Sequence, residues 1–124
     1  MKYRLTALIL LIITILSVIP VPEVPDLEDV PFIDKWVHFV MYGSLTFAMY
    51  VDRRLQHSNT NITFITTAFL FPSLWGGLME LVQAYLTTCR SGEWLDFYAD
   101  AFGAFLATII SLALWKIVKT SEQN

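Results

Sequence analysis

Four long apolar blocks run along the chain, separated by short polar segments. The first extends from Leu5 to Ile19 behind Lys2 and Arg4. A basic start before an apolar stretch also describes a secretory signal peptide. Ser17-Val18-Ile19 before Pro20, however, puts a bulky residue where cleavage wants a small one, so a retained helix is expected over about 5–20. Between Pro20 and Pro31, four prolines and four acids exclude a helix and favour a solvated loop. A second block, about 35–51, stops at Asp52-Arg53-Arg54 and reaches only roughly 24 Å as a helix. The third, about 62–86, contains Pro72, Gly76 and Gly77, which predict a kink and close helix contact. The fourth, about 96–118, ends at Lys119 and a polar tail.

Blocks of this length, rather than amphipathic stripes, predict helices solvated by lipid. Composition agrees: 56% of the 124 residues are hydrophobic and 15% charged, too little polar material to cover so small a soluble domain. The expected fold is therefore all-α, a four-helix transmembrane bundle forming a single membrane domain. Lys2, Arg4, Arg53, Arg54, Lys116 and Lys119 fall at one set of helix ends, and only Lys35 and Arg90 at the other. The excess of basic residues places both termini in the cytoplasm and the Pro/acid and 87–95 loops outside. With a net charge of −3 and no basic run, the chain has no nucleic-acid footprint. Cys89 is a single cysteine and cannot form an internal disulfide.

Ionisable residues collect toward the expected outer ends. Asp34, His38 and Tyr42 repeat every four residues and share a helix face, with Lys35 beside it. Glu80 and Gln83 lie on the third helix, Arg90 and Glu93 in the following loop, and Asp96 and Asp100 open the fourth. A carboxylate at Glu80 inside an apolar helix costs roughly 2.5–3.5 kcal/mol on insertion scales, so it must face the bundle interior and find a partner among His38, Lys35 or Arg90. His38 and Glu80 are the candidate acid/base pair. Asp34, Lys35, Tyr42, Gln83, Arg90, Asp96 and Asp100 are the candidate binding residues. The bland alternative is interfacial pairing alone, Arg90 with Asp96 and Lys35 with Glu93. Trp36, Trp94 and Tyr98 suit an interfacial aromatic belt, with Trp115 at the opposite side. Neither HExxH nor CxxC occurs, and Lys35 and Arg90 would oppose a cation, so no metal and no cofactor is expected. The same two cations suit a phosphate or carboxylate on a lipid-linked ligand.

Asp34-Lys35-x-x-His38-Phe39-x-x-Tyr42, then Glu80-x-x-Gln83, Arg90 and Asp96-x-x-x-Asp100-x-x-Gly103, resemble in order and spacing the VanZ-like family of small bacterial membrane proteins. The resemblance covers about 34–110. It departs at Asp100, where such proteins commonly carry Asn, and in Ser91-Gly92-Glu93 after Arg90. It implies a four-span protein of the bacterial inner membrane and cell envelope, in a family named for teicoplanin resistance, but it supplies no reaction.

Beyond the lipid bilayer itself, the expected partner is an envelope lipid or glycopeptide-related ligand, bound or modified in an outward-facing polar pocket. The alternative is a membrane enzyme in which Glu80 and His38 exchange protons with a phosphate- or ester-bearing lipid while Lys35 and Arg90 hold the anion. A proton-coupled transporter would need polar residues continuing to the cytoplasmic side, where Tyr50, Thr63 and Ser111 are weak candidates.

Overall fold

A computed structural model describes residues 2–20 and 29–123. They form an all-α, four-helix bundle: α1 (Arg4–Val18), α2 (Ile33–Leu55), α3 (Ile62–Leu86) and α4 (Trp94–Glu122). Most of the proline- and acid-rich loop, 21–28, lies outside the described residues. α2 is the central helix. It packs most extensively on α4, and also on α1 and α3. Successive helices run antiparallel, so the start of α1 lies beside the end of α2, and the end of α1 beside the end of α3.

α2 and α4 extend at both ends beyond their apolar blocks. α2 continues through Asp52-Arg53-Arg54 to Leu55, because two arginines in a last turn complement the negative end of the helix. Arg53 also donates to the Asn59 carbonyl and lies over the Phe64 ring, at 5.0 Å from its centroid. α3 starts at an N-cap that the sequence supplies, Asn61, whose side chain accepts the Phe64 N–H at 2.8 Å. α4 begins at Trp94 and carries Asp96 in its first turn, where the helix dipole favours an acid.

α3 and α4 are each long and apolar enough to cross a membrane, and α1 is apolar but shorter. The distribution of polarity is the reverse of that in a soluble bundle. Leu8, Leu11, Ile15, Leu74, Leu81, Ile109, Ile110 and Ile117 are exposed, while His38, Thr46, Asp52, Glu80, Gln83, Asp96 and Asp100 are buried. Two small apolar clusters fill the interior away from the α1–α2 loop: Ile13, Tyr42 and Leu45, and beyond them Met49, Tyr50, Phe64 and Ala68.

With so little apolar core, specific contacts set how the helices meet. Gly103 of α4 rests against the Phe39 carbonyl of α2, and any Cβ there would run into that oxygen. Small residues at a crossing let backbones approach, which is how helices gain van der Waals contact where no hydrophobic effect drives them together. At the opposite end the Asp52 carboxylate turns from α2 toward the start of α1. It accepts the Leu5 N–H at 3.3 Å, the Thr6 N–H at 2.8 Å and the Thr6 hydroxyl at 2.8 Å. Tyr3 gives α1 no side-chain cap, so a neighbouring helix supplies the acceptor for its free first-turn donors.

α3 carries Pro72 as an unbroken helix. Proline has no N–H, so the carbonyl four residues back, Ala68, loses its helical donor. The Thr46 hydroxyl of α2 donates to that Ala68 oxygen at 3.1 Å, and both residues are fully buried. Thr46→Val should therefore destabilise the purified protein by about 1–3 kcal/mol, the cost of a stranded buried acceptor. In a Pro72→Ala background residue 72 regains its N–H, and the same Thr46→Val change should cost much less. Equal costs in the two backgrounds, measured by thermal unfolding in detergent, would refute this pairing.

Candidate functional site

Four antiparallel helices bring the N-terminal end of α2, the C-terminal end of α3 and the N-terminal end of α4 to one end of the bundle. His38 sits among them, 5% exposed. Its Nδ1 lies 2.9 Å from Asp100 Oδ1 and 3.7 Å from Glu80 Oε1, while Nε2 lies 3.7 Å from Asp96 Oδ2. When Asp100 is ionised it only accepts, and the Nδ1–H then donates to it. One imidazole from α2 therefore faces carboxylates from both α3 and α4.

The carboxylates are held from behind. Glu80 Oε2 accepts the Glu93 backbone N–H at 2.7 Å, which leaves Oε1 directed at the imidazole. That bond needs the 87–93 loop close against α3, and Gly92, where a Cβ would meet the Glu80 carbonyl, permits it. Asp100 is completely buried against Gly76 of α3, where any side chain would occupy the space of its carboxyl group. Three buried oxygens of this group, Glu80 Oε1, Asp96 Oδ1 and Asp100 Oδ2, accept no hydrogen bond among the described residues, and of these Asp96 Oδ1 has Lys35 Nζ at 3.1 Å.

Lys35 closes the group on the exposed side. Its Nζ pairs with Asp34, with Glu93 Oε2 at 2.6 Å and with Asp96 Oδ1 at 3.1 Å. The Lys35–Glu93 pair expected as an interfacial bridge is present. Arg90 does not pair with Asp96: among the described residues its side chain makes no ion pair or hydrogen bond, and Lys35 takes that carboxylate instead. Lys35 comes from α2 beside His38, whereas Arg90 lies in the loop before α4 begins at Trp94.

The remaining sequence candidates fall around this centre. Tyr42 stacks on His38 one turn further along α2, with ring centroids 6.4 Å apart and planes 13° apart. Its buried hydroxyl lies near Ser17 but outside hydrogen-bonding geometry. Gln83 turns to α1, donating to the Ser17 carbonyl at 2.9 Å. Asp34 is exposed and pairs with Lys35. Nearness to His38 thus separates Glu80, Asp96, Asp100 and Tyr42 from Asp34, Gln83 and Arg90. Gly76 is the residue whose part in the site the sequence left unassigned, its only signal being a small residue one turn before Glu80.

The charges do not balance. Asp34, Glu80, Glu93, Asp96 and Asp100 face Lys35 and, at most, one imidazolium. Such a group can hold and pass a proton, orient an imidazole, or accept a cation, and it is poorly suited to an anion. Two clefts, one lined by Phe47, Tyr50, Arg54 and Trp115 and the other by Tyr3, Thr6, Arg53 and Phe64, lie toward the opposite end.

No protein-family model, curated protein or solved structure matches the chain.

Adjacent glycines test the packing. Gly76→Ala should push Asp100 away from His38 and cost about 1–3 kcal/mol, because Asp100 is short and fixed close to its backbone. Gly77→Ala should cost less, since its new methyl meets only the edge of the Phe97 ring, at 3.2 Å. Equal losses of thermal stability would mean that Gly76 serves the helix and not the site.

Proposed function

We propose that this chain is a multi-pass, VanZ-like protein of the bacterial inner membrane, and that its buried acidic site binds an envelope lipid or a glycopeptide-related ligand. The observation that carries the reading is the inverted distribution of polarity: leucine and isoleucine outward, and His38, Glu80, Asp96 and Asp100 inward at one end. A bilayer makes sense of both halves, since lipid solvates the exposed apolar faces and drives ionisable groups to partner one another. α1 and α2 then join α3 and α4 as spans, with both termini cytoplasmic by the excess of basic residues at their end. Trp36, Trp94, Tyr98 and Tyr85, all exposed at the end that carries His38, suit the outer interface.

The uneven charge revises which ligand suits the site. Lys35 is shared by three carboxylates and Arg90 is apart from them, so the pair expected to hold a phosphate is not at hand. A ligand group that donates hydrogen bonds or carries positive charge fits better. A second reading, a membrane enzyme, is favoured by the His38–Asp100 pair at 2.9 Å. Asp100 would orient the imidazole, and His38 with Glu80 would exchange protons with a bound lipid.

Reporter fusions test the topology. Fusions after Asn59 and Asn124 should be active in the cytoplasm, and fusions after Glu28 and Gly92 outside. An outward reading after Asn59 overturns the arrangement.

Expression in a teicoplanin-sensitive bacterium tests the role. The wild-type chain should raise the inhibitory concentration, Glu80→Leu should abolish the rise at equal membrane abundance, and Glu80→Gln should retain part of it because the amide keeps hydrogen-bonding capacity. A rise undiminished by Glu80→Leu and His38→Ala would dissociate any resistance from this site.

A further inference from the structure

We infer that His38, Glu80 and Asp100 form a binding site for a divalent transition-metal cation. One ligand atom from each, an imidazole nitrogen and two carboxylate oxygens, lie within 4.8 Å of one another, and all three residues are buried. The sequence gives no metal motif because the three ligands come one from each of α2, α3 and α4.

An acidic cluster alone would not establish such a site. The further observation is that Glu80 Oε1 has no donor among the described residues, although Glu80 is only 8% exposed. Glu80 Oε1 is directed at His38 Nδ1, 3.7 Å away, and Asp100 Oδ1 lies 2.9 Å from the same nitrogen. Ligands around a tetrahedral metal with bonds of about 2.0–2.1 Å stand about 3.3 Å apart, so both separations lie close to that edge. A cation would replace the Nδ1 proton, give the orphaned Glu80 Oε1 a partner and keep Asp100 Oδ1 engaged.

Support behind the ligands points the same way. A metal-bound histidine ordinarily offers its other nitrogen to a carboxylate, and here Nε2 faces Asp96 Oδ2 at 3.7 Å. Glu80 is held through Oε2 by the Glu93 N–H, which leaves Oε1 for the metal. Lys35, the cation that would repel a metal, is engaged by Asp34, Glu93 and Asp96. One nitrogen and two oxygens without a thiolate suit zinc, manganese or ferrous iron rather than cuprous copper. Three protein ligands leave a fourth position open to water or to a ligand.

This inference deepens the proposed reading of the same pocket. The test is zinc chloride titrated into the purified full chain in detergent after chelator treatment, read by calorimetry and by thermal unfolding. About one zinc should bind per chain and raise the unfolding temperature. His38→Ala, Glu80→Gln and Asp100→Asn should each weaken binding about tenfold or more, while Asp34→Asn with Glu93→Gln should leave it near the wild-type value. Absence of saturable binding, or binding undiminished in the His38→Ala/Glu80→Gln double variant, overturns the site. If these variants fail to fold, X-ray absorption of the zinc-loaded wild type decides. One imidazole with oxygen ligands supports the site, and a spectrum lacking imidazole overturns it. Topology and teicoplanin assays read the envelope role without reference to metal, so either proposal can fail alone.

Discussion

The contact between the His38 imidazole and the Asp100 carboxylate is the one on which the arrangement of this end of the bundle depends. It joins α2 to α4, the most extensively packed helix pair, and draws Glu80 of α3 to the same ring. Directional partners of this kind matter more here than in a soluble bundle. In the proposed bilayer setting, apolar side chains on the outside gain little by leaving lipid for one another, so burial alone would not select one helix register. A carboxylate stranded between the helices costs far more than a misplaced leucine, and the registers that leave it stranded are thereby disfavoured. Asp100 has room only because Gly76 lies opposite, and α4 comes close enough only because Gly103 meets the Phe39 carbonyl. The polar contact and the two glycines therefore act together.

The opposite end of the bundle follows the same logic with different chemistry. Asp52 accepts three donors from the start of α1, and Arg54 pairs with Glu122 while lying 5.4 Å over the Trp115 ring. Midway, Thr46 supplies the Ala68 carbonyl with the donor that Pro72 removes. Polar contacts are thus spaced along α2 at positions 38, 46 and 52, each toward a different neighbour. A central helix pinned to α4, α3 and α1 in turn gives the small bundle a defined packing with only modest apolar clusters.

Much of this was legible in the sequence where the signal was local. Block lengths predicted the four helices, and the cost of Glu80 in an apolar stretch pointed it inward, where it is buried with Oε1 3.7 Å from His38 Nδ1. Signals that depend on a second helix were not legible. Pro72 announces a freed carbonyl, but nothing near it names Thr46, which precedes it by more than a loop. Asp52 read as the polar end of a helix because its partners lie 46 and 47 residues away. Arg90 was expected in the site because distance along the chain placed it at the right end of the bundle. Being at the right end does not fix where a loop side chain points, and Lys35, on a rigid helix turn beside His38, takes the carboxylate.

That substitution of Lys35 for Arg90 changes the chemistry and not only the map. Two free cations would have made the site a cradle for phosphate. One cation shared by three carboxylates instead leaves Glu80 and Asp100 around a single imidazole, in a space from which water is largely excluded. Two buried carboxylates cannot both stay ionised against one imidazolium without a further positive charge, because removing an unpaired charge from water costs several kcal/mol or more. That charge can come as a proton, as a ligand ammonium or as a metal cation. A metal between the three helices would engage the imidazole, the orphaned Glu80 oxygen and the Asp100 carboxylate together, and it requires no open cleft to do so. Under the proposed envelope reading, a ligand would then meet the cation at its open position rather than the carboxylates themselves.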